Sequence, residues 1–241
     1  MNLEDKIKKR LTNYLGFDYT KLINEKIDYA YVFGGAIRDI IAGFKINDID
    51  LLCLPESKHK VRDVLIKNGY KKIDLIGKDI MHMYSKSHLV FEPFNYIKII
   101  NNELRLVQII VPTNNTSDGY ETGLITNFHR VLGEVDMSNC AVHFSHNYGL
   151  RESYLGAVNH CKHHVFEILN TRMKTDRFEI RYNKFINRGW SKLDDKNSKQ
   201  FNRAKKLENI LGVAKTKYYL PPGIIQKVIK SYGDIDSFFI I

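Results

Sequence analysis

The chain of 241 residues carries 37 Lys and Arg against 27 Asp and Glu, a formal charge of +10, and 44% of its residues are hydrophobic. Such a chain can bury the core of one large domain or two small ones, and the absence of any run of about 18 apolar residues argues against a membrane span. Its three cysteines, Cys53, Cys140 and Cys161, include no CxxC pair, which argues against a disulfide framework and for a reducing compartment.

The N-terminal MNLEDKIKKRLTNYLGF is charged and amphipathic, without the apolar block of a signal peptide, so a cytoplasmic location is expected. Abundant Lys, Ile, Asn and Tyr fit an AT-rich genome such as that of a virus or phage, which would make that the host cytoplasm. The charge is unevenly spread. Residues 171–241 hold 16 basic and 7 acidic side chains, while residues 1–170 hold 21 and 20. A basic surface on one segment suits contact with a phosphate backbone through neutralisation and counterion release.

In chain order, Ile7, Leu11, Tyr14 and Leu15 recur at helical spacing and predict an amphipathic helix over residues 5–15. A second helical stretch is expected from Tyr19 to Asn24, and Tyr29 to Phe33 reads as a buried strand. That strand runs into Gly34 and Gly35, where a helix opens with Ala36, Ile37, Arg38 and Asp39. Glycines at a strand-to-helix turn let backbone N–H groups approach an anion, and the helix start favours negative charge. Arg38 is placed to reach a phosphate; Asp39 either complements the helix N-terminus or holds Arg38. After a turn at Gly43, Asp48 and Asp50 begin a second strand. At i and i+2 their side chains share one face, where paired carboxylates can hold a divalent cation against a triphosphate.

FGGAIRD followed by DIDLL resembles the signature of the class II tRNA nucleotidyltransferase and bacterial poly(A) polymerase family, within the polymerase-β superfamily. The resemblance implies an α+β fold. A nucleotidyltransferase head with a small mixed β-sheet flanked by helices (1–170) would precede a basic helical neck (171–241). It implies Mg²⁺, with Mn²⁺ as a substitute, held by catalytic Asp48 and Asp50. It also implies nucleotide contacts from Gly34, Gly35, Arg38 and Asp39. The partners expected are an NTP (ATP or CTP) and an RNA 3′ end, with tRNA processing as the setting.

Further along, Glu56 to Gly69 reads as a helix with Val61, Val64, Leu65 and Tyr70 inward and Gly69 as its stop. Phe91 to Pro112 reads as a hairpin turning at Asn101 and Asn102. Superfamily members often bring a third carboxylate from a strand near here; this chain offers Gln108. Asp118 to Phe128 is expected to be helical. DMSNCAVHF resembles the family's second motif, with Asp136 and Ser138 in place and Cys140 where Asn is usual. Arg130 and His129 lie a few residues upstream, where they would replace the missing arginines. By that resemblance Asp136 contacts ribose or orders the site; as an Asp before an apolar run it also suits a helix N-cap.

NHCKHH could place His160 with His163 or His164 on one helical face, enough for two zinc ligands but without a third at a recognisable spacing. TDRFEIRYNKFINRGW resembles the family's neck helix, with Arg181, Lys184 and Phe185 in the basic and aromatic positions and Gly189-Trp190 closing it. Ile180, Phe185 and Trp190 are available for burial, and Arg181 or Arg177 would reach the triphosphate or base. A polar linker, a basic helix over 201–211 and a last helix after Pro221 are expected beyond.

The Glu-Asp-x-x-Arg motif that reads C and A in tRNA-adding members is absent. That departure counts against CCA addition itself but not against nucleotide transfer. The reaction that the resemblance implies is template-independent transfer of an NMP to an RNA 3′ hydroxyl with release of pyrophosphate. Transfer to a small molecule or protein hydroxyl, and a non-catalytic nucleotide- or RNA-binding descendant, are the alternatives.

Overall fold

Helix α1 (Leu3–Leu15) starts where the Asn2 side chain accepts from the Asp5 amide and stops at Gly16, whose φ of 70° a side chain resists. The computed structural model describes residues 1–23, 30–73, 90–113, 135–169 and 175–193. Two compact units divide the chain, Met1–Lys199 and Gln200–Ile241, and every described residue belongs to the first. The expected helices over 118–128, over 201–211 and after Pro221 lie outside the described residues, as do His129, Arg130 and the side chain of Arg177.

Strand β1 (Ala30–Phe33), helix α2 (Gly35–Ala42), β2 (Asp48–Cys53) and α3 (Pro55–Lys67) follow in the expected order. Gly69 ends the α3 segment at φ 82°, and Val61, Leu65 and Tyr70 are buried. The hairpin is β4 (Val90–Ile100) and β5 (Glu103–Thr113), after the short β3 (Lys71–Ile73). Its turn residues Asn101 and Asn102 both take positive φ, 51° and 61°, the backbone that a right-twisted two-residue turn requires. From Tyr19 the chain makes only a short 3₁₀ turn, Tyr19–Lys21, rather than the longer helix expected.

β6 (Val142–Ser145), β7 (Gly149–Glu152), α4 (Ala157–Lys162), β8 (Val165–Phe166), α5 (Thr175–Asn187) and β9 (Ser191–Lys192) complete the described elements. Seven strands form one mixed sheet in the order β3-β4-β5-β2-β1-β6-β7. Within it only β2 and β5 run parallel; the other pairs are antiparallel. β8 and β9 form a separate parallel pair.

The core gathers Ile7, Leu11 and Leu15 of α1, Ile37 and Ile40 of α2, and Ile49 and Leu51 of β2. Burial at Ile49 and Leu51 leaves the alternate residues Asp48, Asp50 and Leu52 on the other face. The Tyr14 hydroxyl donates to Asn47 O (2.8 Å) and accepts from Leu106 N (3.0 Å), tying α1 to the sheet where β2 and β5 meet. Burial, with Asp48 and Asp50 adding to it, pushes the Tyr14 phenol up to about 12. Among the described residues no helix is long and apolar enough to cross a membrane.

Candidate active site

The site is built where the middle of the sheet meets α2. β1 pairs with β2 so that Phe33 faces Asp50, one residue before the glycine turn. Gly34 holds φ 64° and ψ −122°, a region that glycine alone enters cheaply. A Cβ there would meet nothing within 4 Å, so the glycine is demanded by backbone angle, not by crowding. The Gly34 amide donates to Val142 O at 2.9 Å. This corrects one expectation: Gly34 shapes the turn but has no N–H left for a phosphate. The first-turn amides of Gly35, Ala36 and Ile37, which helix geometry leaves without intrahelical acceptors, are the donors available.

Asp48 and Asp50 are both half-buried, and neither makes an ion pair or side-chain hydrogen bond among the described residues. Parallel pairing sets Asp50 beside Gln108 of β5, whose Nε2 donates to Asn95 Oδ1 of β4 at 2.8 Å. A polar row Asp50–Gln108–Asn95 therefore crosses three strands. Burial, then repulsion from Asp48, pushes the Asp50 carboxyl up to about 7, against the opposing pull of Arg181 and Arg38. Among the described residues no three His, Cys, Asp or Glu side chains gather to hold a metal ion by themselves. The two carboxylates are a hard-oxygen pair of the kind that could hold a divalent cation.

Arg38 is 6% exposed. Its Nε donates to Asp39 Oδ1 (2.7 Å) and its Nη1 to Cys140 Sγ (3.2 Å), and the guanidinium lies over the Phe185 ring at 4.8 Å. The remaining nitrogen, Nη2, has no acceptor among the described residues; it lies 3.5 Å from where a Cβ on Gly35 would stand. Asp39 is outside the first turn of α2 and pairs with Arg188 as well, at 3.1 Å. Of its two expected roles it takes the second, holding Arg38.

Asp136 carries no helix N-cap: Met137 occupies that position before the turn Ser138–Cys140. Its carboxylate instead meets Arg181 Nε at 2.8 Å, an ion contact without the alignment of a hydrogen bond, and Arg181 Nη2 donates to Cys140 Sγ at 3.4 Å. Arg38, Asp39, Asp136 and Arg181 are thus one connected cluster, whose two arginines act on Asp50.

Sequence reasoning missed Arg188 and the linking part of Cys140. Arg188 stands seven residues after Arg181 on α5 and its C-terminal cap, a two-turn spacing that was the available signal. Ile180, expected inside, is 70% exposed, while Phe185 and Trp190 are buried. Among the described residues the histidine run joins no group of three metal-ligating side chains. α4 ends at Lys162, and His164 takes φ 54°; His160 Nδ1 meets Ser138 Oγ at 2.5 Å and His164 Nε2 meets Ala42 O at 3.0 Å.

A CCA-adding enzyme in complex with CTP shares this fold with a TM-score of 0.53 at 15% identity, over 88% of this chain and 47% of that one. The chain is also similar to a CCA-adding enzyme with ATP (TM-score 0.47, 15% identity, 88% and 47%). Thermotoga maritima CCA-adding enzyme complexed with tRNA_CCA matches with a TM-score of 0.41 at 20% identity, over 83% and 41%. No protein-family model and no curated protein sequence matches it. The architecture, a central mixed sheet flanked by helices, is the fold shared with that CTP-bound CCA-adding enzyme. The chain spans about half the length of the solved chains it matches.

Proposed function

We propose that this chain is a template-independent nucleotidyltransferase that moves an NMP from an NTP, ATP or CTP, to the 3′ hydroxyl of a tRNA-like RNA. One observation carries the reading. Two half-buried carboxylates without partners among the described residues lie side by side on β2, opposite the strand that enters the glycine turn and within the field of two arginines.

Asp48 and Asp50 would hold Mg²⁺ or Mn²⁺, and the raised Asp50 carboxyl is what a desolvated like-charged pair does without a cation. Bound there, such an ion supplies charge neutralisation for the triphosphate and a lowered pKa for the acceptor hydroxyl. Arg38 Nη2 and the first-turn amides of α2 bind phosphate oxygens, and Arg181 adds positive charge on the side of α5. The acceptor 3′ oxygen bonds to the α-phosphorus as its bond to the β-phosphate oxygen breaks. The hydroxyl proton passes to solvent, and pyrophosphate leaves with the bonding electrons. The basic excess over residues 171–241 supports RNA as the acceptor.

The test is incubation with each radiolabelled NTP, Mg²⁺ and a mixed RNA pool, read on a gel. Labelled RNA is expected with the natural chain and none with Asp50→Ala. Equal labelling by both would overturn the assignment, and labelling that does not depend on added RNA would overturn the acceptor.

A further inference from the structure

Two guanidinium groups converge on one sulfur. Cys140 Sγ accepts from Arg38 Nη1 at 3.2 Å and from Arg181 Nη2 at 3.4 Å, and the residue is 3% exposed. Each arginine also meets a carboxylate at Nε, Asp39 for Arg38 and Asp136 for Arg181. The contacts run in sequence from Asp39 to Arg38, Cys140, Arg181 and Asp136. The outer carboxylates alone would draw the guanidiniums apart, and the sulfur is the acceptor that both share. It keeps their two donating nitrogens within about 7 Å of each other.

We infer that Cys140 is a positioning residue: it sets the spacing of Arg38 and Arg181 so that together they receive the anionic tail of a nucleoside triphosphate. The inference rests on the nucleotide-transfer reading. Arg38 already points to such a ligand. It is buried and fixed at Nε and Nη1, yet Nη2 keeps no acceptor among the described residues and lies beside the glycine turn. A residue at 140 without an acceptor would leave each arginine to its own carboxylate, spreading the two guanidiniums beyond the reach of one triphosphate tail. Serine keeps an acceptor at the same branch point, at the shorter reach of oxygen.

The experiment measures binding of Mg²⁺-tripolyphosphate to the full chain by calorimetry, and KM and kcat for NTP, in the natural chain, Cys140→Ala and Cys140→Ser. Thermal melting is followed in parallel. For Cys140→Ala, tripolyphosphate affinity should fall about tenfold and KM should rise about tenfold, with kcat changed less than about threefold; these are the consequences of losing one hydrogen bond to each charged group. Cys140→Ser should return both to within about threefold of the natural chain. Unchanged affinity in Cys140→Ala overturns the positioning role and leaves the nucleotide reading standing. Equal loss in both variants, tracking a lowered melting temperature, assigns Cys140 to packing and overturns it too. A natural chain that binds no tripolyphosphate overturns the nucleotide reading and this inference with it.

Discussion

Asp50→Asn should make the metal-free protein more stable while removing its activity. The Asp50 carboxyl is raised from 3.8 to about 7, first by burial and then by Asp48. At about 1.4 kcal/mol per unit, keeping it ionised above pH 7 costs a ceiling of about 4 kcal/mol. Part of that belongs jointly to Asp48 and is relieved by small rearrangements, which leaves about 2 kcal/mol for the neutral amide to recover.

The sign is fixed by proton counting. Between pH 4 and 7 the native chain keeps a proton that the unfolded chain has lost, so stability falls as pH rises through that window. The gain from the Asp50→Asn substitution is therefore complete above pH 7 and less than half as large at pH 5. In EDTA at pH 8, thermal unfolding should shift upward by about 4–8 °C, the amount such a free energy moves a chain of this size. In the same variant, NMP transfer with Mg²⁺ should drop by about 100-fold or more. A midpoint unchanged or lowered at pH 8, or a gain of equal size at pH 5, would refute the account of a crowded, desolvated carboxylate pair.

Gly34→Ala should lose about 1–3 kcal/mol in urea unfolding through backbone strain alone, since a Cβ there meets no atom. Gly35→Ala, whose Cβ would meet only Arg38 Nη2, should leave stability within about 0.5 kcal/mol and weaken NTP binding; equal stability losses at the two glycines would contradict this. Asp39→Asn removes the partner of two arginines and should cost about 3 kcal/mol, with Arg188→Met in the same chain recovering part of it in a double-mutant cycle. Phe185→Ala should cost about 3–5 kcal/mol, as for other buried aromatics, whereas Ile180→Gln on the exposed face of α5 should change unfolding by less than about 0.5 kcal/mol.

The parts of the fold readable from the chain were those settled by neighbours in sequence. The 3.6-residue spacing of Ile7, Leu11 and Leu15 gives α1, and the Asn101-Asn102 pair gives the hairpin turn, because each signal needs only a few consecutive residues. β6 beside β1 was not readable: Val142–Ser145 is four residues long and pairs with a strand over 100 positions earlier. The helix expected from Tyr19 shortens to a 3₁₀ turn at Asp18, whose side chain accepts from Thr20 N and favours a turn locally. In the site, Asp48 and Asp50 were legible because a strand period fixes which side they share. The arginine cluster was legible only in pieces, since Cys140 and Arg188 join it through contacts between distant elements. Gln108 was noticed for what it is not, a carboxylate; only the parallel register of β5 places it beside Asp50.

The β8–β9 pair fastens Val165 to Ser191 and Phe166 to Lys192, so both ends of the segment that carries α5 are pinned at one place. The two arginines that act on Asp50 reach this centre at different times during synthesis on the ribosome, Arg38 ahead of the acids and Arg181 long after them. Asp48 and Asp50 emerge with the strands and helix around them, while Arg181 and Arg188 arrive only when the chain has come out past Lys192. A nascent chain halted before that point holds two repelling acids opposed by Arg38 alone, and the segment that the β8–β9 pair fastens adds the second arginine, Arg181, to the local field.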